Sequence, residues 1–425
     1  MGENYQSMWT ELGLNLESHD ALLQVLAQAY NDIFLSQKNR PETMSYFDFV
    51  MSEVHGLRIR ELLDEKETGR KIIGSYCVFV PEELTLAANA TLIGLCSGAD
   101  FATDEVEKLL PRNTCALIKS SFGFKLGKVC PYLESADMIV GENTCDGKKK
   151  SYESLGELVD NLYVMDLPQV KSEQGRELLR KEYFRFKAAV EELTGVTITA
   201  ESLKEAIRTV NAKRAAIHRL SLLRRHDPAP ISGLDALLAN QIFFYDNPAR
   251  FTRSVNAICD ELEKRVQNRE GVCPPKTVRI LLSGCPQAVP NWKLPAIVEQ
   301  SGAVIVGEES CVGERGCRNF TDDSGGSVDE MMEAIVDRYF KIDCAIFTPN
   351  GERIDHIREM ADTYRADGVI HYGLQFCQPY LMEAIPVEKA LEKESIPCLR
   401  IETDYSMEDA GQLTTRVEAF IEQLR

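Results

Sequence analysis

Short apolar runs alternate with stretches of helical periodicity in two separate parts of this chain. Between residues 71 and 170 the runs are IIGSYCVFVP, TLIGLCSG, CALIKSS, DMIVGENTC and NLYVMDLP. Between residues 273 and 425 they are VRILLSGCP, AVIVGEESC, IDCAIFTPN, DGVIHYGLQFC and IPCLRIETDYS. Continuous apolar runs that end in small or polar residues are typical of buried parallel strands. Their alternation with helical segments predicts an α/β fold with largely parallel sheets.

Helical patterns surround and separate these two parts. Apolar residues recur at three- and four-residue spacing near the N-terminus, charged amphipathic stretches dominate the middle, and a final amphipathic helix is predicted at about 408–424. We therefore expect two related Rossmann/flavodoxin-like domains plus a helical domain. The predicted division is an N-terminal helical region at 1–70, α/β domain 1 at 71–170, a helical segment at 171–272 and α/β domain 2 at 273–425.

A local repeat relates the two α/β parts. Ala136–Cys145 aligns with Gly302–Cys311 and shares Ile-Val-Gly-Glu and the cysteine, and a Cys-Pro pair lies upstream of each segment. We interpret this as a duplication. Cys145, Cys311 and Cys377 each come directly after a predicted strand, and ligands of parallel sheets gather outside the carboxyl ends of the strands. These three thiols are therefore expected to converge on one crevice.

Charge and hydropathy exclude several classes of partner. The 425 residues carry a net charge of −18, which argues against nucleic acid or an anionic membrane, because phosphates need basic side chains to neutralise them. No apolar run approaches the roughly 18–20 residues that span a bilayer. The N-terminal residues do not resemble a secretory signal. We expect a cytoplasmic protein without nucleic-acid or membrane partners.

Thirteen cysteines carry the chemical argument. Structural disulfides are not expected in a reducing compartment, so the simplest interpretation of a cysteine is a small buried residue. We predict that role for Cys77, Cys259 and Cys398, whereas Cys273 and Cys317 stay open and Cys96 and Cys344 are weak candidates. The remaining six are placed on predicted loops, at fifteen-residue intervals in the first half of the chain: Cys115, Cys130, Cys145, Cys285, Cys311 and Cys377.

Other chemistry finds little support in the sequence. The chain has no C-x-x-C pair, ferredoxin run, H-E-x-x-H, G-x-S-x-G or P-loop motif. Any metal ligands must therefore come from distant loops. His371 lies near Cys377 and is either a hydrogen-bond donor behind a ligand or an ordinary strand-end histidine. Lys148, Lys149 and Lys150 either temper a negative site or begin a solvated helix.

The motifs around these cysteines resemble the 2-hydroxyacyl-CoA dehydratase and benzoyl-CoA reductase family. The matching segments are Gly127–Asp137, Asn143–Lys150, Ser283–Pro286, Glu309–Cys311, Thr348–Gly351, Asp367–Ile370 and Ile401–Ser406. The resemblance covers most of residues 75–425. It implies an oxygen-sensitive iron–sulfur component of anaerobic metabolism, which receives electrons from a separate ATP-hydrolysing iron–sulfur activator protein. No catalytic residue other than cluster ligands is indicated.

The resemblance also suggests which cysteines hold the cofactor. Dehydratase subunits hold one [4Fe–4S] cubane with three cysteines, and Cys115, Cys145 and Cys377 match that motif. The additional Cys130, Cys285 and Cys311 resemble the double-cubane branch, whose [8Fe–9S] cluster takes six thiolates. All six are therefore predicted cofactor-binding and metal-binding residues.

Two enzymatic functions and one non-enzymatic function are consistent with the resemblance. The first is a homodimeric low-potential iron–sulfur oxidoreductase that passes electrons to a small unsaturated substrate. The second is a lyase, a 2-hydroxyacyl-CoA dehydratase subunit with a [4Fe–4S] cluster that eliminates water through a ketyl radical. A non-enzymatic electron carrier is a third possibility.

Overall fold

Helices begin the chain, as predicted for residues 1–70. The structure is a computed structural model that describes residues 5–425. Tyr30, Phe34 and Phe47 of the first helices are buried against the central helices, which fixes this region on the rest of the molecule. The elements are α1 (Gln6–Glu11), α2 (Leu16–Tyr30), a π-helical turn (Asn31–Leu35), a 3₁₀ turn (Glu42–Met44), α3 (Ser45–Ser52) and α4 (Leu57–Glu67).

The first sheet has four parallel strands in the order β2-β1-β3-β4. All residues of β3 are buried, as expected of a central strand in a sheet covered on both faces. The strands are β1 (Lys71–Ser75), β2 (Ala90–Gly94), β3 (Met138–Glu142) and β4 (Leu162–Met165). The helices that connect them are α5 (Glu82–Ala87), α6 (Thr103–Leu109), α7 (Ala116–Leu126), α8 (Pro131–Ser135) and α9 (Asp146–Leu155).

Four long or buried helices separate the two sheets. Their N-termini are set by polar caps: the side chains of Ser172, Thr199, Ser232 and Asn247 each accept a hydrogen bond from a backbone N–H of the first turn. Such caps satisfy donors that the helix itself leaves unpaired. The helices are α10 (Glu173–Thr194), α11 (Ala200–Leu223), α12 (Gly233–Ile242) and α13 (Pro248–Asn268).

The second sheet repeats the topology of the first, with four parallel strands in the order β6-β5-β7-β8. The strands are β5 (Val278–Gly284), β6 (Ala303–Glu309), β7 (Gly368–Leu374) and β8 (Cys398–Thr403). The helices are α14 (Lys293–Gln300), α15 (Glu314–Cys317), α16 (Val328–Phe340), α17 (Gly351–Thr363), α18 (Gln378–Lys393) and α19 (Ala410–Leu424). The two parallel sheets among helices confirm the predicted α/β fold class with two Rossmann-like units.

Two of the predicted strands are wrong. CALIKSS begins helix α7, with Cys115 at its N-cap, and IDCAIFTPN forms no strand between α16 and α17. Short apolar runs do not distinguish a strand from a buried helix or loop by periodicity, which explains both errors. The precise division of the chain into domains stays a prediction.

The alignment of the internal repeat also needs correction. By strand order, β1 corresponds to β5, β2 to β6 and β3 to β7. The segment that ends in Cys145 contains β3. Its counterpart therefore contains β7 and ends in Cys377, whereas Cys311 follows β6. Ile-Val-Gly-Glu is common buried-strand sequence and matched two strands that are not equivalent. The shared topology still favours a duplication.

Candidate functional site

A cavity of about 1190 Å³ lies where the carboxyl ends of the two sheets face each other. Ser75 and Gly94 line it at the ends of β1 and β2, and Leu374 lines it at the end of β7. The loops after β3, β5 and β6 contribute further walls. This is the place where parallel sheets bind ligands, because the loops there join strands to helices that diverge.

Eight cysteines line this cavity, five of which were predicted from the sequence as ligands. The three that the structure adds follow β1, follow β2 or lie between α16 and α17. The eight are Cys77, Cys96, Cys115, Cys145, Cys285, Cys311, Cys344 and Cys377. The expected convergence of Cys145, Cys311 and Cys377 on one crevice is therefore present.

Cys130 is the one predicted ligand that does not line the cavity. It lies before α8 and packs against the apolar core of the first sheet, and burial raises the pKa of its thiol to about 11. Cys130 was expected as a ligand because of its predicted loop position and the resemblance to the double-cubane branch, and that expectation stays a prediction.

Cys77 was predicted as a packing residue inside a strand. Strand β1 ends at Ser75, so Cys77 lies in the loop beyond it and reaches the cavity. The topology supplies a signal that the sequence pattern did not: Cys77 after β1 corresponds to Cys285 after β5, and Cys96 after β2 corresponds to Cys311 after β6. Correct alignment of the duplicated sheets would have found both residues.

The cavity thiols fall into two contacting groups. In the first thiol group, Cys377 interacts directly with both Cys115 and Cys285. In the second thiol group, the Cys77 thiol hydrogen-bonds to Cys311, and Cys344 interacts with the charge on Cys311. Cys145 is electrostatically coupled to Cys115 and so adjoins the first group.

Three of these cysteines begin helices. Cys115, Cys145 and Cys377 are the N-cap residues of α7, α9 and α18, which are 11, 10 and 16 residues long. Neighbouring thiols and burial raise the pKa of these three thiols, while backbone amides of each first turn act in the opposite direction and favour the thiolate. Unpaired N–H groups and the helix dipole stabilise negative charge at this position. These three caps suit a ligand that carries anionic sulfur.

A buried ion-pair network touches the second thiol group. The Nη1 of Arg315 donates a hydrogen bond to the Sγ of Cys311 at 3.4 Å and another to the hydroxyl of Tyr380. The Nε of Arg315 donates to Glu309 Oε1 at 3.1 Å, and both side chains are fully buried. Arg353 donates to the other carboxylate oxygen of Glu309 at 2.8 Å.

The charges of this network act on their neighbours. Burial opposes ionisation of Glu309, yet the guanidinium groups of Arg315 and Arg353 hold its pKa below the usual range. The hydrogen bond from Cys77 and the charge of Arg315 hold the pKa of Cys311 below that of an ordinary thiol. Burial instead raises the pKa of Cys344 to about 11.

The three lysines after Cys145 separate into two roles. The Nζ of Lys148 turns inward, lines the cavity and pairs at 3.3 Å with the buried carboxylate of Glu142. Lys149 and Lys150 are exposed; Lys150 also lines the cavity and pairs with Glu153 on the same helix. Lys148 and Lys150 therefore have the position that the suggestion of a tempered negative site requires, and Lys148 is the more buried of the two.

His371 does not contact the cavity. It is buried within β7, its Nε2 has no hydrogen-bond partner within the described part of the chain, and burial lowers its pKa to about 3. The ring is therefore neutral at physiological pH. His371 is close to Cys377 in sequence because Cys377 follows the end of β7, but the His371 ring lies within the strand and away from the cavity.

The donor set of the cavity fits an iron–sulfur cluster. Thiols bind iron–sulfur clusters and zinc, but structural zinc takes a closed set of four ligands, often in closely spaced pairs, whereas the thiols here are more numerous and come from both sheets. Glu309, Asp343 and His356 also place ligand-type atoms within 4.8 Å of one another. Because Arg315 and Arg353 already occupy both oxygens of Glu309, we interpret that triad as part of the ion-pair network.

The fold and cavity define an α/β protein in which two parallel β-sheets enclose a thiol-lined site. The family model described as 2-hydroxyglutaryl-CoA dehydratase, D-component, matches residues 77–424, and the chain belongs to that family. The resemblance seen in the sequence motifs is thereby confirmed. Along the part of the chain that the structure describes, no helix combines the length and the apolarity needed to cross a membrane.

Relatives match over most of their own length. The Escherichia coli (strain K12) protein YjiM, provisionally named a dehydratase subunit, is 37% identical over 88% of this chain and 96% of its own. The (R)-phenyllactyl-CoA dehydratase beta subunit of Clostridium sporogenes is 27% identical over 84% and 93%. One of the benzoyl-CoA reductase subunits of Thauera aromatica is 21% identical over 82% and 89%. Relatives thus include named subunits of both dehydratases and a reductase.

Proposed function

We propose that this chain holds a double-cubane [8Fe–9S] cluster in its cavity and acts as a low-potential iron–sulfur oxidoreductase toward a small unsaturated substrate. The observation that carries the proposal is the set of eight cysteines that line one cavity from both sheets, in two contacting groups. A single cubane held by three cysteines would leave most of these thiols without a role.

The two thiol groups suggest how the ligands divide. One cubane is assigned to the three helix N-cap thiols and the other to the second thiol group: Cys115, Cys145 and Cys377, and Cys77, Cys311 and Cys344. Cys77 and Cys344 thus replace Cys130 and Cys285 of the set expected from sequence. The Sγ of Cys285 accepts the N–H of Leu374 at 3.4 Å and is 3% exposed, which suits a thiol that supports Cys377 from the core.

The cluster would supply one-electron transfer at low potential. The loops at the ends of the sheets would hold the sulfur ligands, with helix N-termini, the partly buried Lys148 and the buried Arg315 beside the negative centre. Apolar side chains such as Ile346 and Phe347 complete the wall and limit the access of water. Reduction of a thiolate-rich centre in such surroundings is costly, which favours a negative potential.

The proposal also includes an electron donor and a second copy of the chain. The family resemblance suggests an ATP-hydrolysing iron–sulfur activator and a homodimer, and several relatives are named as subunits of larger enzymes. Phe376 and Met382, which are 37% and 69% exposed, lie at the cavity lining and leave apolar surface near its mouth. Sedimentation of the purified chain, alone and with its activator, tests both associations.

The second candidate is a 2-hydroxyacyl-CoA dehydratase subunit with one [4Fe–4S] cluster. The names of relatives favour it, because the Clostridium sporogenes protein is a dehydratase subunit. Iron and acid-labile sulfide, measured after anaerobic purification, separate the two candidates. About eight irons per chain supports the double cubane and about four supports the dehydratase. A chain that binds no iron under these conditions contradicts both.

A further inference from the structure

A buried arginine lies against a sulfur of the second thiol group. The Nη1 of Arg315 is 3.4 Å from the Sγ of Cys311, and the Arg315 side chain is fully buried. A guanidinium group keeps its charge at any physiological pH. The contact therefore places a permanent positive charge beside this thiol.

The position of that charge is fixed by the groups around it. The Nε and Nη2 of Arg315 both donate to Glu309 Oε1, while Nη1 is shared between Cys311 and the hydroxyl of Tyr380. The planar guanidinium cannot turn without breaking several of these contacts at once. The cavity therefore contains a preorganised donor, and not a side chain that samples many positions.

Glu309 does not simply cancel the charge of Arg315. Its second oxygen accepts a hydrogen bond from Arg353 at 2.8 Å, and Arg353 also pairs with Glu383 at 2.5 Å. One carboxylate is thus shared by two guanidinium groups, and only that of Arg315 contacts a cavity thiol among the contacts described for the pair. Arg315 thus donates a hydrogen bond to Cys311 while it shares Glu309 with Arg353. The carboxylate of Asp343 lies farther away, 3.9 Å from the Nε of Arg315.

A second cation of the cavity is held more loosely. Lys148 pairs with Glu142 at 3.3 Å and with the carbonyl oxygen of Tyr76 at 3.4 Å. No side-chain hydrogen bond from Lys148 to a thiol is among its described contacts. Lys148 acts electrostatically on Cys77 of the second thiol group, so Arg315 is distinguished from it by a direct contact with a sulfur atom.

We propose that Arg315, held by Glu309, sets the charge at the Cys311 end of the cavity and raises the reduction potential of the iron–sulfur centre bound there. This inference rests on the proposed function. Reduction adds negative charge to the centre, and a fixed cation with a hydrogen bond to a ligand sulfur stabilises the reduced form more than the oxidised form. The effect is large in a buried site because the dielectric screening is weak.

Two substitutions with opposite expected signs test the proposal. Arg315→Gln removes the cation, so the midpoint potential should become more negative than that of the wild type. Glu309→Gln keeps the shape but removes the counter-charge, so the midpoint should become less negative. A role limited to packing would not move the potential in opposite directions. Arg353→Gln is the matched control, since it removes a buried partner of Glu309 without touching a thiol, and its shift should be smaller than that of Arg315→Gln.

The measurement is an anaerobic redox titration of the full-length chain, followed by electron paramagnetic resonance, with iron content determined on each sample. Arg315→Gln that retains iron at the wild-type midpoint overturns the proposal, as do shifts of the same sign in Arg315→Gln and Glu309→Gln. If Arg315→Gln fails to hold iron, Glu309→Gln decides: an unchanged or more negative midpoint overturns the proposal. Wild-type protein without iron refutes the proposed function itself, whereas normal iron with unshifted midpoints refutes only the role of Arg315.

Discussion

Replacement of Cys77 by serine separates the ligand set proposed here from the one expected from the sequence. Cys77 contributes one of three thiols to the second thiol group and hydrogen-bonds to Cys311. Cys77→Ser leaves that group with two thiols. This is too few for a cubane that takes three cysteine ligands, each on a different iron. We expect iron to fall from about eight to about four per chain, because the three helix N-cap thiols assigned to the other cubane stay in place.

Cys130→Ser is the matched control for this variant. Both changes exchange one sulfur for one oxygen, but Cys130 lies outside the cavity and packs against the core of the first sheet. The hydroxyl is buried in mostly apolar surroundings, so this variant should lose on the order of 1–3 kcal/mol of stability while it keeps its iron.

The assay is iron and acid-labile sulfide per chain after anaerobic purification, together with urea unfolding to establish that each variant is folded. Full iron content in Cys77→Ser would refute the role of Cys77 as a ligand. A loss of about half of the iron from folded Cys130→Ser would be equally decisive, since that result would restore the ligand set expected from the sequence.

Further predictions concern the scaffold that holds the site. Arg224 and Glu308 form a buried pair, with Nη2 and Oε1 2.6 Å apart, so Arg224→Met should lower the free energy of unfolding by about 3–5 kcal/mol in urea titrations, and an unchanged midpoint would contradict the role of this pair. Ser327 forms a capping box on α16, and Ser327→Ala should cost about 1 kcal/mol in the same assay, whereas no loss would mean that the cap is not needed. Burial lowers the pKa of His55 to about 3, below the 6.5 of an ordinary histidine, so its contribution is present above pH 6.5 and is lost as the pH falls toward 3. His55→Gln should therefore flatten the decline of stability over that pH range, and an equally steep decline would show that other groups cause it.

The sequence predicted the sheets better than the loops. Eight of the ten apolar runs became strands, because a strand buried on both faces needs continuous apolar residues such as those of β3 and β5. CALIKSS became a helix, with Cys115 at the N-cap position, because tertiary packing decides the state of so short a run. Local composition carries the sheet core, but it does not distinguish short helices from strands.

Prediction of the cysteines that line the cavity required knowing where each strand ends and which strands of the two sheets correspond. Cys145 and Cys377 were predicted correctly as lining residues because they directly follow long apolar strands. Cys77 was missed because the apolar run continues past Ser75, where the strand ends. Cys344 lies between helices with no strand before it, so its approach to Cys311 follows from tertiary packing alone.

Glu309 belongs to a segment that carried the family resemblance, but its pairing with Arg315 had no sequence signal. Arg315 lies four residues after Cys311 and Glu309 two residues before it, positions that look like ordinary charges on a loop and strand end. Both are fully buried because each neutralises the other and Arg353 adds a second cation. Buried charge pairs of this kind depend on partners distant in sequence, so a pattern of local hydropathy cannot reveal them.

The central claim is that one cavity between the two sheets holds two cubanes. Anomalous diffraction at the iron absorption edge, from crystals grown without oxygen, tests it most directly because it locates iron independently of any spectroscopic assignment. We expect two adjacent groups of iron density, one against Cys115, Cys145 and Cys377 and one against Cys77, Cys311 and Cys344. Iron at only the first of these positions, or iron outside the cavity, would contradict the claim.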